Sequence, residues 1–125
     1  MKVGEFYRGQ VVEIDFKRKE GSIQKGKRPA VIVGNDIGNT YAPILLVVPL
    51  TTATTKAGLP THMWIEPSKE NGLVANSMLL AEQIMTVTKE AVTKDLGSLT
   101  TSQMEKVNEK LKISLGLNWK EYLYV

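Results

Sequence analysis

Apolar and polar residues alternate from Gln10 to Phe16, with Val12, Ile14 and Phe16 on one side and Val11, Glu13 and Asp15 on the other. A period of two is the mark of a half-buried strand, and Gly9 supplies a bend before it. The pattern then breaks. Lys17 to Lys27 is polar and interrupted by Gly21 and Gly26, which predicts a loop, and Arg28 to Val33 follows as an apolar, β-branched strand. Gly34-Asn35-Asp36 ends that strand, because all three residues accept turn geometry, and Ile37 to Tyr41 reads as a second turn. Ile44 to Leu50 is apolar throughout, so burial on both faces is expected. Pro49 lacks an amide hydrogen, which predicts that this strand ends or lies on an edge there, and Thr51 and Thr52 emerge directly from it. After a loop running to Pro60, Thr61 to Glu66 alternates again, Pro67 to Gly72 is turn-like, and Ser77 to Val87 is expected as two short strands meeting at a bend.

The clearest helix lies near the C-terminus. Thr100 with Gln103 three residues on forms a capping box, and Leu99 is placed to pack on Met104 as a hydrophobic staple. Met104, Val107, Leu111 and Leu115 make one apolar stripe, the charged residues fall elsewhere on the helix, and Gly116 provides the stop. Five or six short strands with one packed helix give a small curled sheet or barrel of the α+β class. No repeat, linker or low-complexity segment divides the chain, so residues 1–125 are expected as a single domain.

Composition narrows the chemistry. At 125 residues and 42% hydrophobic content the chain is long enough for a real core. Its longest apolar run is far short of the roughly 20 residues that a membrane helix needs, and nothing at the start resembles a signal peptide, so a cytoplasmic protein away from membranes is expected. With no cysteine and one histidine, neither a disulfide framework, a thiolate nucleophile nor a transition-metal site is expected. No cofactor is called for, since no phosphate loop, dinucleotide fingerprint or zinc motif occurs.

Net charge is only +3, yet six of the sixteen basic residues, Lys17, Arg18, Lys19, Lys25, Lys27 and Arg28, fall within twelve positions. Such a concentration suits a polyanion, although an isolated charge run is also the ordinary composition of a solvated loop. Arg28 stands apart from the rest. Proline holds the residue before it in extended geometry, so Arg28, ahead of Pro29 and a core strand, has a fixed backbone. Its planar fork of donors matches phosphate, and the Thr51 hydroxyl adds a short donor from another strand. The same residues also suit a sheet-edge salt bridge from Arg28 to Asp36 or Glu82, with Thr51 capping a turn. His62 invites a general-base reading, but a lone histidine in an alternating strand is more often structural. Trp64, Tyr7, Tyr41 and Phe16 suit base stacking, yet in so small a fold aromatics more often fill the core.

Gly26-Lys27-Arg28-Pro29-Ala30-Val31-Ile32-Val33 followed by Asn35-Asp36 resembles the MazF/PemK/Kid family of toxin ribonucleases. Val48 to Thr51, Leu59 to His62, Ser77 to Leu80 with Glu82-Gln83-Ile84, and Leu115 to Leu117 recur in that family's order, so the resemblance covers about Tyr7 to Leu117. It implies an SH3-like β-barrel with a C-terminal helix, a homodimer, and a metal-independent endoribonuclease that cuts single-stranded RNA within a short sequence. It also implies inhibition by a MazE-like antitoxin. Arg28 and Thr51 match the family's catalytic pair. Lys17, Arg18, Lys19, Ser22, Gln24, Lys25, Lys27, Thr52 and Lys56 are then candidate RNA contacts, with Glu20, His62 and Gln83 as candidate supporting residues. One departure is that Ile23 follows Gly21-Ser22 where the family commonly has glutamate. A CcdB-like toxin, which shares the fold and poisons gyrase without cutting RNA, is the alternative. Its closing Trp-Gly-Ile is absent from this chain's end, Glu121 to Val125.

Overall fold

The computed structural model describes residues 5–17, 26–52 and 58–117. Seven strands and two helices are found among them: β1 Gln10–Phe16, β2 Gly26–Ile32, α1 Asp36–Tyr41, β3 Ile44–Thr52, β4 His62–Ile65, β5 Ser77–Leu80, β6 Met85–Thr88, β7 Val92–Ser98 and α2 Thr101–Leu115. The strands form one antiparallel sheet in the order β4-β5-β3-β2-β1-β7, with β6 paired to the first half of β3. The fold is thus α+β, an antiparallel sheet with a C-terminal helix.

Strand alternation splits the core in two. Val11, Val31, Val48, Leu50, Met63, Ile65 and Leu79 join Leu99, Val107 and Leu111 beneath α2. Val12, Ile14, Phe16, Ala30, Ile32, Val47, Met78 and Leu80 form a second cluster on the other face, which Trp64, Met85 and Val87 border. Both faces of the central strands are therefore covered, and Val11 is buried despite its place on the more polar side of β1.

Helix α2 follows its sequence signals. The Thr100 hydroxyl accepts from the Gln103 amide while the Gln103 side chain accepts from the Thr100 amide, and Gly116 closes the helix in left-handed geometry at φ 71°. Leu99 and Met104 enter the same cluster. Leu115 departs from the predicted stripe, being 54% exposed in the last turn.

Four further expectations are corrected. Residues 36–41 form a helix and not a turn, because the Asn35 side chain accepts from the Gly38 amide as an N-cap. Pro49 lies neither at a strand end nor on an edge: β3 continues to Thr52, with Pro49 buried opposite Ala30. On its other side β3 pairs with β6 over residues 44–47 and with β5 over 50–52, so the missing amide hydrogen falls at the seam between two partners. Ile44 and Leu46 are exposed, so only the second half of the apolar run is buried on both faces. Finally, β7 makes the strand count seven. Its polar sequence, Val-Thr-Lys-Asp-Leu-Gly-Ser, hid it as an outer strand with two register shifts against β1.

Candidate active site at the open end of the β2–β3 ladder

The β2–β3 ladder runs through Ile32–Val47, Val31–Val48 and Ala30–Pro49. Residues directly opposite in an antiparallel pair point to the same face, as do residues two apart on one strand. Arg28 and Thr51, each two residues beyond the Ala30–Pro49 pair, therefore share a face. Arg28 is flanked on the outside by Ile14 of β1, and Thr51 by Met78 of β5, which in turn pairs with Trp64 of β4. One row on one sheet face thus carries Trp64, Met78 and Thr51, with Arg28 at its far side.

Arg28 is exposed and forms no side-chain hydrogen bond or ion pair with another described residue. The two carboxylates that suited a salt bridge are engaged elsewhere. Asp36 accepts from the Arg8 amide at 2.7 Å and from Asn39 Nδ2 at 3.2 Å. Glu82 takes the Thr61 hydroxyl at 2.8 Å and His62 Nε2 at 2.9 Å. A guanidinium held by its strand and without a partner among the described residues is suited to meet an anion. Lys27, beside it in β2, is likewise exposed, and Thr52 extends the hydroxyl pair at the end of β3. Lys17 is exposed too, but its ammonium lies 3.0 Å from Asp15 Oδ2. Arg18, Lys19, Glu20, Ser22, Gln24, Lys25 and Lys56 lie outside the described residues.

His62 stands in β4 on the same face, its side chain 9% exposed. A carboxylate only accepts, so the contact with Glu82 puts a proton on Nε2, and Nδ1 is buried without a partner among the described residues, as is Trp64 Nε1. Burial pushes the Glu82 carboxyl up. The hydrogen bonds from His62, Thr61 and its own backbone, with the His62 charge, outweigh that and hold it below the usual carboxylate range. Gln83 follows Glu82 in the 3-10 turn Ala81–Gln83 and is half-buried. The sequence gives His62 and Gln83 as candidates and no sign of the His62–Glu82 contact, because the pairing joins positions 20 residues apart through β4–β5 contact. Among the described residues, no three of His, Asp and Glu converge as metal ligands do.

The pattern that defines the PemK-like, MazF-like toxin of type II toxin-antitoxin systems spans residues 7–115 of this chain. The chain belongs to this family. It is 43% identical over 111 residues, 89% of its length and 92% of the other protein's, to the endoribonuclease MazF of Staphylococcus epidermidis. Its structure is similar to an endoribonuclease solved in complex with its cognate antitoxin from a mycobacterial species, with a TM-score of 0.72, 32% identity, and coverage of 91% of this chain and 98% of that one. MazF of Deinococcus radiodurans shares the fold at a TM-score of 0.71 and 21% identity, over 89% of this chain and 96% of that one. Arg28 and Thr51 are thus two side chains on one face of the sheet in a chain of this family.

Proposed function

We propose that Arg28 and Thr51 are the catalytic pair of this chain, which is a MazF-type endoribonuclease toxin of a toxin-antitoxin system, and that it cuts single-stranded RNA at defined short sequences without metal. The observation that carries this reading is Arg28, without a partner among the described residues, on the face it shares with Thr51 and beside the most cationic stretch of the chain. RNA supplies its own nucleophile in the 2′-hydroxyl next to the scissile phosphate. The protein has to align that hydroxyl with the leaving 5′-oxygen and stabilise the charge that grows on the phosphoryl oxygens. Arginine, charged at all working pH values, does the second task and is a poor proton acceptor. Thr51 adds a hydroxyl donor, and the cations of the Lys17 to Lys27 segment hold flanking phosphates.

The same proposal includes the SH3-like barrel. β6 and β7 flank the path β3-β2-β1 on opposite sides, yet only the three residues Lys89–Ala91 join them. Four strand spacings of about 4.8 Å in a flat sheet exceed the roughly 15 Å that four Cα steps can span, which supports a curled sheet. Ile14 and Phe16 from β1 and Met85 and Val87 from β6 also line one cavity of about 740 Å³, although β2 and β3 stand between those strands.

A homodimer fits the apolar side chains left exposed on α1 and the start of β3, namely Ile37, Tyr41, Ile44 and Leu46. An acidic antitoxin segment meeting Arg28 and the lysines would block the groove. The cytoplasm, where mRNA is translated, is the compartment this activity requires.

The test is cleavage of a mapped RNA by purified protein. Replacing the 2′-hydroxyl at the cut position with hydrogen should stop the reaction, and chelator should leave it unchanged. Cleavage of the deoxy-substituted RNA would overturn the mechanism.

A further inference from the structure

His62 and Trp64 stand two residues apart on β4, the outer strand, with their side chains on one face. It is the face that Arg28 shares with Thr51. Trp64 lies directly opposite Met78, which lies directly opposite Thr51, and His62 faces Leu80 in the next row. Two strand spacings, about 10 Å, separate the Trp64 and Thr51 backbones, a gap that an indole and a nucleotide base bridge together. On the reverse of the strand, Met63 and Ile65 are buried in the core beneath α2, so β4 itself is firmly seated.

Each of these side chains carries a buried polar atom without a partner among the described residues, His62 Nδ1 and Trp64 Nε1. Buried donors and acceptors are nearly always paired, so two left open on one face point to a molecule that completes them. Their chemistry is complementary. The indole N–H can only donate. The Glu82 carboxylate, 2.9 Å from His62 Nε2, keeps the proton on that nitrogen and leaves Nδ1 as a lone-pair acceptor. The carboxylate is itself held, because the Thr61 hydroxyl donates to its other oxygen at 2.8 Å and Ser114 of α2 donates to the neighbouring Ala81 carbonyl at 2.8 Å. With the His62 side chain only 9% exposed, packing sets where the acceptor points.

We propose that Trp64 Nε1 and His62 Nδ1 form a donor–acceptor pair that reads the edge of one RNA base flanking the cut, and so help to decide which sequence is cleaved. The proposal rests on the RNA-cleaving reading above. Trp64 is only half-buried, so its ring turns outward on the outer strand and admits the base to both atoms. On its pairing edge every base sets a ring nitrogen beside an exocyclic group. In adenine and cytosine the ring nitrogen accepts and the exocyclic amine donates, whereas in uracil and guanine the ring N–H donates and the carbonyl accepts. A donor and an acceptor fixed on one strand fit one of these orders, with the sugar on the side of Thr51. The other order sets donor against donor and acceptor against acceptor, so the pair discriminates two bases from the other two.

The test uses the full chain with Trp64→Phe, which keeps an aromatic ring and loses the N–H, and His62→Gln, whose amide still donates to Glu82 while the Nδ1 acceptor is gone. Each protein cuts a randomised RNA pool and the ends are sequenced. The ratio kcat/KM is then measured on a preferred RNA and on one changed at the affected position, beside a melting temperature. Both variants should lose preference at one and the same position beside the cut, with kcat/KM lower by about fivefold or more on the preferred RNA and within about twofold of wild type on the changed one. Rates that fall together on both RNAs with preference intact would make the two residues structural and overturn the pair. Loss of preference in one variant only, or at different positions, would overturn it as well, as would wild-type preference in both. A wild-type chain that cuts no RNA defeats the cleavage reading on which the pair depends, an outcome distinct from the others.

Discussion

His62 Nε2 and Glu82 Oε2 lie 2.9 Å apart across β4 and the turn after β5, with the histidine ring almost fully buried and the carboxylate one-third exposed. The contact joins the strand of Trp64 to the turn that leads into β6, and a second bond from Thr61 to the other Glu82 oxygen locks the carboxylate in place. Because the folded Glu82 carboxyl is held below its ordinary value, the unfolded chain binds its proton more readily than the folded one. That stabilisation is complete above the unfolded carboxylate pKa and is lost as pH falls from about 5 through the folded value. Glu82→Gln should lower stability at pH 7 and flatten the acid limb of the stability curve. Denaturant titrations between pH 7 and pH 3 check this; an acid limb as steep in the variant as in the wild type would remove Glu82 as its source.

Gly97 in β7 and Gly72 in the segment between β4 and β5 let two backbones touch. A Cβ at Gly97 would stand 2.1 Å from the Glu70 carbonyl oxygen, and one at Gly72 would stand 2.0 Å from that of Leu96. The closeness is what allows the Ser98 amide to donate to the Glu70 carbonyl at 2.8 Å. Gly97→Ala, which also meets a backbone at φ 150°, should cost about 2–4 kcal/mol. Gly58→Ala, where a Cβ meets nothing within 4 Å, should leave thermal unfolding close to wild type. Equal melting temperatures for the two variants would contradict the packing of the turn on β7.

The Thr100 cap gives a smaller and cleaner effect. Its hydroxyl and the Gln103 side chain satisfy two amides at the start of α2, and the helix covers Val107 and Leu111 in the core. Thr100→Ala should cost about 1 kcal/mol, read as a drop in melting temperature with no change in RNA cleavage per folded molecule.

Local signals made much of the fold legible. The alternation in β1 and β4, the capping box and Gly116 of α2, and the bend between β5 and β6 each encode their own geometry within a few residues. The misses came from partners distant in sequence. Pro49 looked like a strand end because the exchange of β6 for β5 along β3 is invisible from residue 49. The polar β7 drew no strand reading because its pairing comes from β1. The place of Arg28 before Pro29 can be read from the chain itself, whereas the contact of Glu82 with His62 became visible only when β4 and β5 came together.

Arg28→Ala tests the catalytic assignment most directly, because the exposed and unpartnered side chain contributes no described contact to the fold. Loss of one donor that stabilises transition-state charge costs about 3 kcal/mol, near a hundredfold in rate or more. Arg28→Lys keeps the charge but loses the planar fork, so it should recover RNA binding without recovering rate. Thr51→Val keeps the volume and removes the hydroxyl, and should slow cleavage with an unchanged melting temperature. Single-turnover rates beside binding measurements separate these effects. If Arg28→Lys cut at the wild-type rate, the arginine would supply only charge, and the bidentate grip on the phosphoryl oxygens would be wrong.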